Sequence, residues 1–426
     1  MTKKLVLLAG AALSLGTSAA MAQQSSDEIR ATVAEMLADA ETRSSLLSAG
    51  DAGHDGRFFI SGDGYRLNIS GAIQTRYYAN FRDDQANQDD FESGFEVKRA
   101  RVNFQGDINK DWFYRLRLNA GSEGDFSLDY GYAGYKFANG VRFTAGQFKA
   151  PLLREELVAD ERQLAVERSV TNEVFTQDYS QGIMFDYETE TWRAAGSFTD
   201  GLATRNTPFT ANQTSSWFAS GAGLGEADYA FTGRFEYLFS GGWKMFEDFT
   251  AAKGQDFGAL LGGALHYQQS ANTNNPADVD TDTLVATADL SLEGDSWNLY
   301  GAFIYRYNEF RSGGSDSDLS DFGVVIQGGW RFAEKTELFA RYDGIYADED
   351  NAAFGSEDNF NFVTFGLNHY WAGHAAKGTL DVVWSLNETA TAGGNLAGTG
   401  ALSGTGVLGD TEDNEVVVRA QFQLLF

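Results

Sequence analysis

Apolar and polar residues alternate one by one along much of the chain from Tyr65 onward. In the stretch Tyr65–Arg82, the odd positions are mostly apolar or aromatic, whereas most even positions carry arginine, asparagine, glutamine or serine. Because successive side chains of a β-strand point to opposite faces, this period of two predicts a strand with one apolar and one polar face. The stretch is longer than most strands of soluble proteins and is long enough to cross a membrane.

The same alternation recurs along the chain, for instance in Trp112–Gly121, Ser296–Phe310 and Glu415–Phe426. An even number of such strands suits an antiparallel barrel that closes without a free edge. We therefore expect an all-β fold, a 16-stranded antiparallel transmembrane β-barrel with a short N-terminal periplasmic helix. The predicted strands are 65–82, 93–107, 111–121, 126–138, 140–149, 180–189, 191–200, 227–240, 255–270, 282–293, 296–310, 319–332, 336–348, 359–371, 377–389 and 414–426.

Long and short connections alternate between the predicted strands. Gaps such as 150–179 are long, and gaps such as 108–110 are tight. The two kinds alternate along the chain. Outer-membrane barrels show this asymmetry, because their external loops are long and their periplasmic turns are short. Two connections depart from the rule: 122–125 is short for an external loop, and 241–254 is long for a turn.

The N-terminus has the three parts of a secretory signal peptide. Lys3-Lys4 is basic, Leu5–Leu15 is apolar, and Ala20-Met21-Ala22 has the spacing of a cleavage site. The apolar run is too short to form a membrane helix. We therefore predict a signal peptide over residues 1–22, followed by export to the bacterial cell outer membrane.

A periplasmic helical segment and a linker are predicted for residues 23–56, ahead of the barrel domain at 57–426. Within the segment, apolar residues of the stretch 26–47 fall on one helical face. Two interpretations remain open for this helix, because it could associate with its copies or be marginal and belong to a flexible tail. Residues Gly50–Gly56 are expected to be a linker.

Composition narrows the class of function. The net charge of −28 argues against nucleic acid as a partner, and the absence of cysteine excludes disulfides and thiolate metal sites. The 33 Phe, 18 Tyr and 8 Trp are numerous enough for the aromatic girdles of a barrel in contact with lipid and lipopolysaccharide. The four histidines are scattered and no catalytic motif occurs, so no enzyme activity, catalytic residue, cofactor or metal is expected.

Basic residues are concentrated in the first strands, since residues 57–168 hold 16 of the 32 Lys and Arg. In a porin, the inward polar positions control permeation, and guanidinium groups bind phosphate oxygens in pairs. An alternative is that these side chains form salt bridges with inward acids such as Asp289, Glu337 or Asp343. Those that fall on the inward parity, and are candidates for an anion pathway, are Arg66, Arg76, Arg99, Arg101, Arg115 and Arg117.

The connection 150–179 is the third external loop of the predicted barrel. It contains Arg154, Arg162 and Arg168, with Lys149 at its root, together with many acidic residues. If it folds inward, it narrows the channel and its mixed charge creates a transverse field at the constriction. The alternative is a solvated surface loop.

Several stretches are similar to one known family. Lys98–Gly106, Gly134-Tyr135-Lys136 and Ala145–Leu157 carry the likeness, and Glu167-Arg168-Ser169 and Gln181-Gly182 follow in the same order. By these residues the chain resembles the phosphate-selective porin O/P family. The resemblance implies a homotrimer of 16-stranded barrels, a third loop inside each lumen, and basic residues that relay phosphate. By position, the basic residues that match the family's pattern are Arg99, Arg101, Lys136, Lys149 and Arg168.

The chain also departs from the family. It has Asp129-Tyr130-Gly131-Tyr132 where the family often has Glu-Asp-Ala-Tyr, and its acidic excess is large. At the C-terminus, Phe426 ends an alternating strand, and the resemblance implies that the barrel assembly machinery reads such a residue.

The expected function is that of an outer-membrane porin giving passive diffusion of small hydrophilic solutes. Anions such as phosphate are the expected substrates, through a basic-lined channel narrowed by an inward loop. Because acidic residues outnumber basic ones, a general-diffusion or cation-favouring porin is the first alternative. A structural or adhesion surface barrel is the second.

Overall fold

The fold is that of a computed structural model of the chain. Among its described residues, no helix is both long and apolar enough to cross a membrane. The predicted signal peptide and, apart from residue 35, the predicted N-terminal helix lie outside the described residues. The described residues are 35, 51–83, 89–121, 126–176, 178–201, 227–270, 280–312, 315–351, 357–391, 394–396 and 404–426.

The sixteen predicted strands are present and form a closed antiparallel barrel made of β3–β17 and β20. Their bounds lie within a few residues of the predicted ones. The strands of the described residues are β1 (Asp51–His54), β2 (Phe58–Gly62), β3 (Tyr65–Phe81), β4 (Phe91–Ile108), β5 (Trp112–Ala120), β6 (Phe126–Lys136), β7 (Arg142–Lys149), β8 (Tyr179–Glu188), β9 (Trp192–Thr199), β10 (Ala227–Ser240), β11 (Gly258–Ser270), β12 (Asp280–Gly294), β13 (Trp297–Ser312), β14 (Ser315–Ala333), β15 (Thr336–Tyr346), β16 (Asn359–Tyr370), β17 (Ala376–Ser385), β18 (Ala390–Thr391), β19 (Gly394–Asn395) and β20 (Val416–Leu425).

The last strand closes the barrel against the first long one. The register of β20 and β3 runs from Val416 opposite Phe81 to Leu425 opposite Ala72. One residue further on, the Gly71 amide donates to the Phe426 carbonyl oxygen (2.7 Å), and the Phe426 amide donates to the Gly71 carbonyl oxygen (3.0 Å). Because lipid offers no hydrogen-bonding partners, this closure is what satisfies the backbone groups of both edge strands.

A short hairpin precedes the barrel and covers part of its edge. Residues 51–54, which the sequence suggested as part of a linker, form β1 and pair with β2. In turn, β2 pairs with the first residues of β3, from Tyr65 to Ile69. β20 pairs with the later residues of β3. The hairpin therefore takes up backbone donors and acceptors that the closure leaves free, which removes an exposed sheet edge.

The two faces of the barrel differ as the alternation predicts. Outward side chains are apolar and exposed, with Phe95 at 82 % and Phe126 at 81 %. Inward side chains are largely polar and buried, with Gln74 and His266 both at 0 %. An apolar surface that faces outward is stable only against lipid, so the distribution agrees with a membrane-spanning barrel.

Short helices occur in the connections. α1 (Arg154–Leu157) and α2 (Val170–Phe175) lie between β7 and β8, and a 3-10 helix, Trp243–Glu247, lies between β10 and β11. The Ser169 hydroxyl accepts the Asn172 amide at 2.9 Å, which caps the N-terminus of α2. The unusually long turn after β10 packs against the barrel, since Phe246 is buried with Leu238 and Leu260.

Glycine is required at position 146 of β7. Its φ is +128°, and an added Cβ would lie 2.2 Å from the Gly131 carbonyl oxygen. We predict that Gly146→Ala destabilises the barrel by about 2 kcal/mol or more, because of backbone strain and steric overlap. The measurement is the urea midpoint for loss of the folded, fast-migrating form on unheated gels.

Gly233→Ala in β10 is the matched control, since an added Cβ there meets nothing within 4 Å. Equal midpoints for the two variants would contradict the assignment of strain to Gly146.

Candidate functional site

The connection between β7 and β8, residues 150–178, bonds to strands from many sides of the barrel. Arg76 of β3 donates from Nη2 to the Val166 carbonyl oxygen (2.9 Å), and Asp381 of β17 accepts the Val166 amide (2.9 Å). Arg341 of β15 donates to the Glu167 carbonyl oxygen (3.0 Å). All of these strand residues lie on the polar face of the strands, so the connection bonds to that face.

Apolar contacts fix the same connection. Most of its described residues are buried, and its apolar side chains fall into two clusters with inward side chains of the strands. Burial of such side chains contributes roughly 1.5–3 kcal/mol each, so the connection is held by packing as well as by polar contacts. The members that it contributes are Leu152, Leu153, Val170, Val174 and Phe175 to the first cluster, and Val158, Leu164 and Ala165 to the second.

Asp160 is the centre of the charge network on this wall. Its carboxylate contacts the guanidinium groups of Arg101 and Arg168 closely and lies 3.3 Å from Arg99 Nε. Burial raises the pKa of Asp160, but the three arginines outweigh that effect and hold the pKa well below its ordinary value. The carboxylate therefore stays ionised and neutralises part of the basic wall.

Glu167 also neutralises arginines of the basic wall. Its Oε2 lies 2.9 Å from Arg76 Nη1 and 3.0 Å from Arg99 Nη2. Burial raises the pKa of this carboxyl, but Arg99 and Arg76 lower it further than burial raises it. Glu155 behaves differently, because burial raises its pKa and the nearby Arg341 only partly offsets that effect.

Three more carboxylates belong to the network, and one of them is Glu161, whose Oε1 lies 3.6 Å from Arg101 Nη1. Asp129 of β6 lies 3.0 Å from Arg101 Nε and 3.2 Å from Arg117 Nε. Glu156 contacts Lys149 closely and lies 3.3 Å from Arg168 Nε.

The remaining predicted site residues lie elsewhere. Arg66 pairs with Asp55 at 2.6 Å, and Lys136 pairs with Asp107 at 2.7 Å, both near the short-turn end of the first strands. The Arg154 side chain, from α1, reaches across to β12 and to the 241–257 turn. It donates to the Ser291 hydroxyl (2.8 Å) and to the Phe246 carbonyl oxygen (2.7 Å).

Arg115 stands apart from the other residues of the basic wall. Its Nε donates to the Asn103 side-chain oxygen at 2.8 Å, and its guanidinium lies over the Tyr130 ring. Among the described residues it has no carboxylate partner.

The acids that neutralise the wall are largely those of the connection itself. Asp289, which the sequence suggested as a partner, pairs instead with Arg234 of β10 at 2.8 Å. Asp343 lies 3.3 Å from Arg341, and Glu337 accepts from Thr250 and Tyr370. The sequence signal for the observed pairing was the mixture of acids and arginines between β7 and β8, but it did not indicate which residues would meet.

Two further connections reach the inner wall, and sequence reasoning did not anticipate either. Between β17 and β20, the Gly404 carbonyl oxygen accepts from Arg76 Nη1 (3.0 Å), and the Thr405 carbonyl oxygen accepts from Arg419 Nη1 (2.9 Å). In the turn after β10, Glu247 lies 2.6 Å from Arg162 Nη1, and the Thr250 hydroxyl donates to Glu337 (2.9 Å).

The inner wall is unevenly covered. Arg66, Arg115 and Lys136, on the first strands, keep part of their surface exposed. Nearer the connection, Arg76, Arg99, Arg101 and Arg117 of the same strands are buried, as are Arg341 of β15 and Arg419 of β20. Accessible polar surface therefore lies mainly along the turn half of β3–β6. In the described part of the chain, no group of three His, Asp or Glu side chains could hold a metal ion.

The chain is similar to proteins of one known family. A model of the family described as phosphate-selective porin O and P matches residues 68–402. An uncharacterised protein of Aquifex aeolicus (strain VF5) is 26% identical over 308 residues, which cover 68% of this chain and 71% of that protein.

Solved structures with similar folds are outer-membrane barrels. The outer membrane channel DcaP of Acinetobacter baumannii has a TM-score of 0.57 at 12% identity, over 85% of this chain and 99% of that one. An anion-selective porin from Comamonas acidovorans has a TM-score of 0.55 at 13% identity, over 85% and 100%. At such identities the likeness concerns the fold alone.

We predict that Asp160→Asn destabilises the folded protein, because three guanidinium groups lose the carboxylate they share. Breaking a buried ion pair from one side costs roughly 3–5 kcal/mol. The measurement is the free energy of unfolding in urea, in detergent. Asp350→Asn is the control, since Asp350 is exposed. A loss at Asp160 no larger than at Asp350 would show that the network adds nothing to stability.

Proposed function

Since the chain belongs to the phosphate-selective porin O and P family, we propose that its barrel is a channel that admits small anions along the basic wall of β3–β7. The family and the barrel place the protein in the bacterial outer membrane and support a channel rather than an enzyme. The choice of anions is our proposal, and it depends on the charges that line the wall.

The balance of charge on the wall carries the proposal. Six cationic side chains of the wall share five carboxylates, and a seventh, Arg115, has no carboxylate partner among the described residues. With all of them ionised, the local net charge is about +2, even though the whole chain carries −28. A positive potential of this kind, within a confined polar space, raises the local concentration of anions. The cations are Arg76, Arg99, Arg101, Arg115, Arg117, Lys149 and Arg168, and the carboxylates are Asp129, Glu156, Asp160, Glu161 and Glu167.

The 150–178 connection is the proposed constriction of this channel. Its burial, and its bonds to strands as far apart as β3, β10 and β15, support a position inside the lumen. It would then leave a narrow path along the half-exposed side chains of the first strands. Phosphate and other oxyanions are the proposed substrates, because paired guanidinium groups match their oxygens.

One observation favours a second candidate, a general-diffusion or cation-favouring porin. Most of the wall arginines already have carboxylate partners, which weakens their attraction for a passing anion. Cation preference would follow if acidic residues elsewhere in the pathway dominated the field.

The family also suggests an oligomeric state and partners in the membrane, which we propose for this chain. A solved form of OmpT from Vibrio cholerae is described as a trimer, and we propose the same assembly for this chain. The outward apolar face is proposed to contact lipid and lipopolysaccharide. Phe426, paired to Gly71 at the closure, is proposed as the residue read by the barrel assembly machinery.

The test is the zero-current potential of the purified protein in a planar bilayer under a KCl gradient, followed by titration with phosphate. We predict an anion-selective potential and block of the chloride current by phosphate. Arg117→Gln removes one positive charge while Arg101 still pairs with Asp129. It should reduce the anion preference and raise the half-blocking phosphate concentration about tenfold or more, since a hydrogen bond to a charged group contributes roughly 1.5–3 kcal/mol.

Lys253→Gln is the matched control, because Lys253 is an exposed lysine in the turn after β10. It should leave both quantities unchanged. A cation-selective wild-type channel without phosphate block would overturn the anion proposal and favour the second candidate.

A further inference from the structure

Three aromatic rings lie side by side on the inward face of β5 and β6. The Phe113 and Tyr132 ring centroids are 6.2 Å apart, and those of Tyr132 and Tyr130 are 5.9 Å apart, both in edge-to-face geometry. All three side chains are half-buried, unlike the closely packed rings on the opposite wall. They form an apolar surface within an otherwise polar part of the inner wall, which we term the ring row.

Arg115 lies within this row. Its guanidinium carbon is 4.0 Å from the Tyr130 ring centroid, a stacking distance. Nε donates to the Asn103 side-chain oxygen (2.8 Å). No carboxylate of the described residues forms an ion pair with it, so its charge is balanced by no neighbouring acid.

Among the described residues, the other arginines that lie over rings have carboxylate partners, except Arg331, which lies over the buried Tyr370 ring. Arg66 over Phe59 pairs with Asp55 (2.6 Å). Arg306, over Phe175, pairs with Asp321. Arg115 therefore combines a ring contact and partial exposure with a charge that no described carboxylate balances.

Two glycines flank the ring row, and the Phe113 ring lies over the first of them, Gly134. Gly134 is directly opposite Phe113, and an added Cβ there would lie 2.2 Å from the Phe113 ring. Gly146 is directly opposite Tyr132 on the other side. Residues opposite each other on neighbouring strands face the same way, so Tyr132 has no side chain beside it on the β7 side. A flat group could therefore lie against the row.

We propose that Arg115 and the ring row form a binding site for aromatic carboxylates that pass through the channel. This inference rests on the proposed function and adds a substrate class to it. The guanidinium edge binds a carboxylate through paired hydrogen bonds, while Tyr132 and Phe113 pack against the ring of the solute. Phosphate needs several cations and makes no use of rings, so the ring row favours a planar organic anion.

Calorimetric titration of the detergent-purified trimer or monomer tests binding without requiring conduction. Benzoate is the probe and acetate is the comparison, since acetate has the carboxylate but no ring. We expect benzoate to bind about tenfold more tightly than acetate, which is the scale of aromatic pairing. Equal affinities for the two anions would overturn the inference.

Two variants separate the charge from the rings. Arg115→Gln should weaken both anions, whereas Tyr132→Leu should weaken benzoate about fivefold and leave acetate unchanged. The Tyr132 variant also keeps the test valid if the Arg115 variant does not fold. Arg331→Gln is the matched control, since Arg331 also stacks on a ring, that of Tyr370 (4.7 Å), but that ring is buried. A loss of benzoate binding in the control as large as in Arg115→Gln would contradict the site.

A second measurement distinguishes failure of this site from failure of the proposed function. Benzoate should block the chloride current of the wild type in a planar bilayer at lower concentration than acetate does. An anion-selective channel that shows no such difference would refute the aromatic site and leave the proposed function intact. Benzoate binding to a protein that does not conduct would support the site and refute the channel.

Discussion

Closure of the sheet is the constraint from which the rest of the structure follows. Within lipid, a backbone amide or carbonyl group has no water to bind, so each strand needs two neighbours. The pairing of β20 with β3, completed by Gly71 and Phe426, supplies the last of them. Once the sheet is closed, its period of two assigns every residue to lipid or to the interior. The basic residues of the first strands are thereby gathered on one inner wall.

That wall could not be built from arginines alone. Unpaired guanidinium groups with little access to water are costly, and like charges on adjacent strands repel. Asp160 and Glu167 of the 150–178 connection relieve both effects, because each contacts more than one arginine. The contacts that hold the connection against the wall are therefore the same contacts that set its charge. Under the proposed function, stability and selectivity depend on one network in this molecule.

The alternation of residues was sufficient to predict the barrel and its sixteen strands, because period two is a local signal repeated along the chain. It also placed Arg99, Arg101 and Arg117 on the inner face. It could not identify their partners, since the pairing of Asp160 with Arg101 joins residues of different elements and depends on how the connection packs. The alternation also could not predict that Phe246 is buried in the turn after β10. Nor could it predict that the Gly404 carbonyl oxygen accepts a hydrogen bond from Arg76.

The net charge of the chain misleads about its interior. Among the acids that give −28, Asp89, Asp90 and Asp350 lie in exposed connections, where salt screens them beyond about 10 Å. A permeating ion instead meets the groups that line the wall, and there the cations exceed the carboxylates. Arg115 contributes to that excess because no described acid pairs with it, and it does so beside half-exposed rings. The ion preference of the pathway therefore depends on which charges remain unpaired. The amino-acid composition does not show which charges these are.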